Sequence, residues 1–306
     1  MDPSASSLRR TLDVVFFSRP VQRLARAVSG FCALVLPASC VVCGAWDSSL
    51  CPACLARFRR DTARAFRAEA GALSLPDVRR ARDPRGAGDP AEVSFGALPV
   101  VAAGRYGPVV AAVLLAYKNH GHVDLADPAA RALAAALHAA ARDAVAENDE
   151  VLLVPVPTRS SSRRRRGYDP VMLLLSHLRR SAALPAGTEL GPLVRHRPFG
   201  RLAWLLRSGG RLSARTLLTA SLPGRGGQKG LGRRQRRASV LHSMDTTRRG
   251  RDVLAGRNCI VVDDVLTTGA TISEVHRVLV ANGARVLGAV VIAATAPPEG
   301  RARGPG

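Results

Sequence analysis

Apolar residues along the chain fall into two rhythms. Short runs at 98–104, 151–156, 259–262 and 286–293 are too brief for helices and are bounded by turn residues, so they predict strands. The run at 259–262, Cys-Ile-Val-Val, has the β-branched character of a buried parallel strand. Between these runs the apolar positions take helical spacing. The predicted helices cover 109–117, 124–146 with Leu125, Ala129, Leu133 and Leu137 on one face, 171–180, and a stretch with Ile272, Val275, Leu279 and Val280 that Asn282-Gly283 stops. Asp169 reads as N-cap and Pro170 as first residue of the third helix. The expected division is an N-terminal helical region with a cysteine module at 1–74, a Gly- and Pro-rich linker at 75–94, an α/β domain at 95–297 and a polar tail at 298–306.

The strand at 259–262 leads into Asp263 and Asp264, then into the small residues Thr267, Thr268, Gly269, Ala270 and Thr271, then into a helix. Strand, small-residue loop and helix start are the parts of a phosphate cradle: backbone N–H groups converge, the helix end favours an anion, and Thr hydroxyls add donors. Two carboxylates at that point would repel phosphate. They suit the diol of a sugar whose phosphate lies in the loop, or a divalent ion bridging to that sugar. A strand–turn–helix in which Asp and Thr only cap the helix would use the same residues. Neither GxxxxGK[ST] nor GxGxxG occurs, which argues against nucleotide triphosphatase and dinucleotide folds.

This stretch resembles the 5-phosphoribosyl-1-pyrophosphate (PRPP) signature of type I phosphoribosyltransferases, and the wider chain resembles the competence-related ComF family. The resemblance implies a type I phosphoribosyltransferase-like parallel sheet flanked by helices. It would put Asp263 and Asp264 on the ribose hydroxyls, Val265, Leu266, Thr267, Thr268, Gly269, Ala270 and Thr271 around the 5-phosphate, and Mg2+ with the PRPP. Thr158 and Arg159 match the pyrophosphate loop, Arg166-Gly167 the pair that opens the next helix, and Gln228, Leu231 and Arg236 a segment that closes over PRPP. In that segment Lys229 would stabilise the departing pyrophosphate. Members of the family often have Asn-Gln where this chain has Asp169-Pro170. A lysine recurs in them at the place of Lys118, where it reaches phosphate or nucleic acid, or simply ends a helix. The resemblance further implies participation in DNA uptake, with single-stranded DNA and a DNA-uptake or helicase-type protein as partners.

Cys40-x-x-Cys43 and Cys51-x-x-Cys54 form two knuckles separated by seven residues. Two such turns facing each other make a four-sulfur cage, which predicts structural Zn2+ with no position left for a reacting water. A redox pair and an iron–sulfur centre are the competing readings.

The formal charge is +22 and the sequence pI near 11.5, a balance that attracts polyanions. Arg163, Arg164, Arg165 and Arg166, and Arg233, Arg234, Arg236 and Arg237, are the clusters suited to a phosphate backbone. Lysine occurs only at Lys118 and Lys229, so the excess of arginine also fits biased genomic composition. No uninterrupted apolar run of membrane-spanning length occurs at 21–42, and the expectation is a cytoplasmic protein able to touch the inner membrane face through charge or partners. Three functions stay open: transfer of a phosphoribosyl group, zinc-containing single-stranded DNA binding with PRPP as regulator, and PRPP sensing for a partner.

Overall fold

The computed structural model describes residues 39–79, 95–119, 121–144, 150–159, 162–163, 166–197 and 242–295. At its centre is a six-stranded sheet in the order β1-β4-β10-β9-β5-β6. The strands are β1 (Phe66–Arg67), β4 (Val100–Arg105), β5 (Val151–Pro155), β6 (Thr188–Leu190), β9 (Asn258–Leu266) and β10 (Arg285–Ala294). All neighbours run parallel except β1, which lies antiparallel along the β4 edge. Register rows run across the middle of the sheet: Val154, Val261, Ala289 and Val100 lie side by side, and Pro155, Val262, Val290 and Val101 form the next row. These rows are buried and face opposite sides, as period-two alternation demands.

The helices cover both faces, which explains the continuous apolar runs of the central strands. On one face lie α1 (Pro52–Asp61), α2 (Pro108–Asn119), α3 (Ala126–Ala144) and α4 (Pro170–Arg180), packed through Phe58, Val113, Leu133 and Leu174 onto Ile260, Val262 and Val290. The other face carries α6 (Ala270–Val280), whose Ile272, Val275 and Leu279 meet Cys259, Val261 and Val291. Val280 points outward instead, at 48% exposure. Beside α6 pack the ribbon of β7 (Val194–His196) and β8 (Met244–Thr246) and the short α5 (Arg248–Val253).

The face each helix takes follows from the direction of travel in the sheet. Steps from β4 to β5 and from β5 to β6 go one way, and the step from β9 to β10 goes the other. Right-handed crossovers therefore place α4 and α6 on opposite faces. The direction reverses between neighbouring strands β5 and β9, and a crevice opens at their carboxyl ends.

Several boundaries differ from the sequence expectation. The central strand runs on past the carboxylate pair to Leu266, because Asp263, Val265 and Leu266 keep their register with Val291, Ala293 and Ala294 of β10. Chain order begins before Phe95: β2 (Asp77–Arg79) pairs with β3 (Phe95–Ala97) across the stretch read as a linker. Within the region to 74 read as helical, α1 ends at Asp61, and the residues that follow wrap the sheet. They pair as β1, send Ala68 N to Val100 O (2.8 Å), and carry Ala72 and Leu75 to the far face.

That wrap presses α1 directly on β4. A Cβ at Gly104 would stand 2.3 Å from the Asp61 carbonyl oxygen, whereas one at Gly107 would meet nothing within 4 Å. Gly104→Ala should cost about 1–3 kcal/mol as α1 is pushed off the sheet. Gly107→Ala should stay within about 0.5 kcal/mol of wild type. Thermal melts of the two variants check this, and equal melting temperatures would refute the contact.

Candidate functional site

The crevice is a cleft of about 380 Å³ lined from three directions. The loop after β5 brings Val156, Pro157, Thr158, Arg159 and Ser162, and β9 with its loop brings Asp263, Asp264, Val265, Thr267 and Thr271. Lys118, Arg166, His196 and Met244 close the sides.

A diverted donor opens it. Val156 N donates to Val262 O (2.8 Å), and the next N–H of that chain to face β9, that of Thr158, turns away to Asp169 Oδ2 (3.2 Å). The β5 ladder therefore stops beside Val262 while β9 continues along β10, which leaves the carboxylates at an unpaired edge. Asp169 also caps α4 by accepting from Met172 N (3.2 Å), so one carboxylate anchors both the loop and the helix.

Helix α6 starts differently. Its N-cap is Gly269, at φ 81°, which has no side chain to cap the first turn; there Ala270 N donates to Thr268 Oγ1 at 3.4 Å. A helix start whose N-cap residue offers no side-chain acceptor favours an anion. Positive φ calls for glycine at this point, and a Cβ would also strike Leu75 Cδ2 at 2.7 Å. The loop is backed by Ser74 N, which donates to Thr268 O (2.8 Å).

Charge in the cleft is paired. Lys118 Nζ contacts Asp264 Oδ2, and Asp264 is 8% exposed. Burial alone would lower the Lys118 ammonium, but Asp264 and then Asp263 outweigh it and raise it above its ordinary value. Burial and the adjacent Asp264 push Asp263 well above the usual carboxylate range, against Lys118 and the Asp264 N–H that donates to Asp263 Oδ1 (2.8 Å). Burial, helped by Arg159, lowers His196, whose Nε2 lies 2.9 Å from Pro157 O. Arg166 donates to Asn119 Oδ1 (3.1 Å), and its buried Nε meets no acceptor among the described residues.

A second centre lies at the start of α1. The sulfurs of Cys40, Cys43, Cys51 and Cys54 all lie within 4.8 Å of one another, an arrangement able to hold a metal ion. Cys51 is the N-cap of α1 and Pro52 its first residue, so the helix dipole favours thiolates there. Burial opposes ionisation of Cys40, but backbone N–H groups of Cys51, Cys43 and Val42 outweigh it and lower the thiol to about 6. Burial and the neighbouring thiols push Cys54 up to about 12. Val41, Val42 and Leu50 pack on the same core as α2 and α3, so the cluster is seated on the α/β body.

Of the residues read from the sequence as the PRPP site, the cleft gathers the side chains of Thr158, Arg159, Asp263, Asp264, Val265, Thr267 and Thr271. Leu266 lies in the core, and Gly269 and Ala270 are buried behind the loop. Of the arginines read as a nucleic-acid patch, Arg163 is exposed and Arg166 lines the cleft. Arg164, Arg165, Lys229, Arg233, Arg234, Arg236 and Arg237 lie outside the described residues. Sequence reasoning missed His196 and Met244 as cleft residues. They meet on a ribbon whose strands are joined through 198–241, and no local periodicity announces that pairing.

Comparison with known proteins agrees with this geometry. The family description "Phosphoribosyl transferase domain" matches residues 229–303. The fold is phosphoribosyltransferase-like. Adenine phosphoribosyltransferase of Mycolicibacterium vanbaalenii is 51% identical over 49 residues, 16% of this chain and 28% of that protein. Those of Mycolicibacterium gilvum and Mycobacterium tuberculosis are 49% and 47% identical over 49 residues, 27% and 23% of their lengths. The chain thus spans little more than a quarter of the curated relatives it matches. These matches correct the resemblance to the ComF family: the relatives are adenine phosphoribosyltransferases, and DNA uptake finds no support in them. The reason is that an apolar strand, an Asp pair and a Thr-Gly loop encode a phosphoribosyl cradle in general and do not distinguish its branches.

Because Asp169 holds both the loop after β5 and the start of α4, Asp169→Ala should cost about 1–2 kcal/mol. Asp169→Asn, which keeps an acceptor, should lose less. Chemical denaturation measures both, and a fully stable alanine variant would contradict the anchoring role.

Proposed function

We propose that the cleft binds Mg-PRPP and transfers its phosphoribosyl group to a nitrogen nucleophile with release of pyrophosphate. The observation that carries this reading is that tertiary structure brings the Thr158-Arg159 loop to one switch point with the acidic pair and the start of α6, from which it lies far apart in sequence. The N–H groups and hydroxyls of Thr267 and Thr271 suit the 5-phosphate. Asp263 and Asp264 suit the ribose hydroxyls, and their hard oxygen donors also suit Mg2+, which when bound would neutralise pyrophosphate charge. Thr158 and Arg159, which line the same cleft, suit the pyrophosphate. In the reaction the C1′–O bond to pyrophosphate breaks as a C1′–N bond forms, and the electron pair leaves with pyrophosphate. The wall of Val156, Pro157, His196 and Met244 offers apolar surface for a flat acceptor, and the adenine named in the matched relatives is the first candidate.

We further propose that the cysteine cluster holds structural zinc. A thiolate site with bonds of about 2.3 Å spaces its sulfurs by about 3.8 Å, and Cys43 and Cys51 sulfurs lie 3.7 Å apart. Since α1 rests on β4 and on α2, zinc would also brace the wall that carries Lys118.

Calorimetry with Mg-PRPP, ribose 5-phosphate and pyrophosphate tests the first proposal. Wild type should bind Mg-PRPP, and Asp263→Asn or Asp264→Asn should weaken it by roughly 1.5–3 kcal/mol, the range for a charge-assisted hydrogen bond. Folded wild type that binds none of the three ligands would refute it. For the second proposal, elemental analysis should find about one zinc per chain, lost when Cys40, Cys43, Cys51 and Cys54 are replaced by serine. Zinc-free protein that is folded would refute the site.

A further inference from the structure

Three consecutive residues at the end of α2 are each tied to a different partner across the cleft. Tyr117, 1% exposed, donates its hydroxyl to Pro170 O (2.8 Å), and its own carbonyl accepts from Tyr168. Asn119 accepts from Arg166 (3.1 Å). Lys118, between them, pairs with Asp264. The residues on both sides of the lysine are thus tied to the segment that opens α4, Tyr117 through its carbonyl and hydroxyl and Asn119 through its side chain, and the ammonium is delivered to one place. The pair is sheltered, with side-chain exposures of 38% for Lys118 and 10% for Asp264. A surface ion pair of two long, free side chains contributes little and loses side-chain entropy; here most of that ordering has been done by the clamp. The nearby cation Arg166 is directed to Asn119, which leaves Lys118 as the cation in contact with the carboxylate pair among the described residues.

Two adjacent carboxylates at an open strand end are the donor set that a hard divalent cation seeks. The ammonium already stands against one of them. We propose that Lys118 is a built-in counter-cation of the Asp263–Asp264 pair, a positioning residue that keeps free divalent ions off the empty site and holds Asp264 ready for a sugar diol. A divalent ion then enters only in company with a phosphorylated sugar, a consequence that rests on the phosphoribosyl reading of the cleft.

The test uses Mn2+ alone as probe, followed by electron paramagnetic resonance on the full chain with its cysteine cluster metal-loaded; Mn2+ prefers oxygen donors and leaves thiolates aside. Wild type should show no Mn2+ binding that Asp264→Asn removes. Lys118→Met should gain a site at least about tenfold tighter, because uncompensated ligand charge sets affinity for hard cations. Adding Asp264→Asn to Lys118→Met should abolish the gain, and Lys118→Arg should exclude Mn2+ as wild type does. Should the methionine variant fail to fold, Lys118→Gln takes its place. Mn2+ held by wild type at a site sensitive to Asp264→Asn would overturn the proposal, as would a folded Lys118→Met or Lys118→Gln that gains none. Calorimetry with ribose 5-phosphate separates the two readings. Wild type that excludes Mn2+ and also ignores ribose 5-phosphate keeps the counter-cation and rejects the phosphoribosyl site; wild type that binds both independently does the reverse.

Discussion

A single mismatch of strand lengths organises the molecule. Strand β9 continues to Leu266 along β10, whereas β5 ends opposite Val262, because the next N–H facing β9, that of Thr158, goes to Asp169 instead. In the middle of a sheet an interrupted ladder would leave backbone groups buried without partners. At the carboxyl end of a parallel sheet, where the winding direction reverses, it creates a cleft instead. Carboxylates that would be intolerable two residues earlier, between helices on both faces, are there accessible to a ligand and to Lys118.

The rest of the fold holds that edge open and charged in a fixed way. Asp169 takes the Thr158 N–H away from the ladder and caps α4 with the same carboxyl group. Behind the opposite loop, Leu75 and Ser74 back Gly269 and Thr268 after the N-terminal segment has crossed over the β4 edge. The cysteine cluster begins the same segment, so one continuous stretch of chain links a knuckle able to hold a metal ion, the helix that packs on α2, and the rear of the Thr-Gly loop. The described N-terminal residues, 39–79, thereby back the site although none of their side chains lines the cleft.

Much of the fold was legible because its signals are local. Runs of Val and Ile long enough for a strand, Ala and Leu at helical spacing over α3, the Asp169-Pro170 start of α4 and the CxxC knuckles each depend on neighbours within one or two turns. The carboxylate pair and the Thr-Gly loop were legible for the same reason, since strand, loop and helix are consecutive. Locality also set the limit of family assignment: a short cradle signature serves every branch of the phosphoribosyltransferases, and the ComF resemblance asked more of it than it contains.

What tertiary structure alone decided is which distant residues share the cleft. Lys118 reads in sequence as a cation ending a helix, favoured by the dipole wherever the helix points; only the clamp at Tyr117 and Asn119 turns it toward Asp264. His196 and Met244 sit in stretches without periodicity and meet through an antiparallel pairing. Residues 75–79 carry the charges and turn formers of a linker, yet Leu75 lies against Gly269 and β2 finds its partner in β3. The sequence by itself determined the elements and the local make-up of the Thr-Gly loop, because periodicity and turn preference act over a few residues. Charge pairing across the cleft depends on the winding order of the sheet, which no short window of sequence contains.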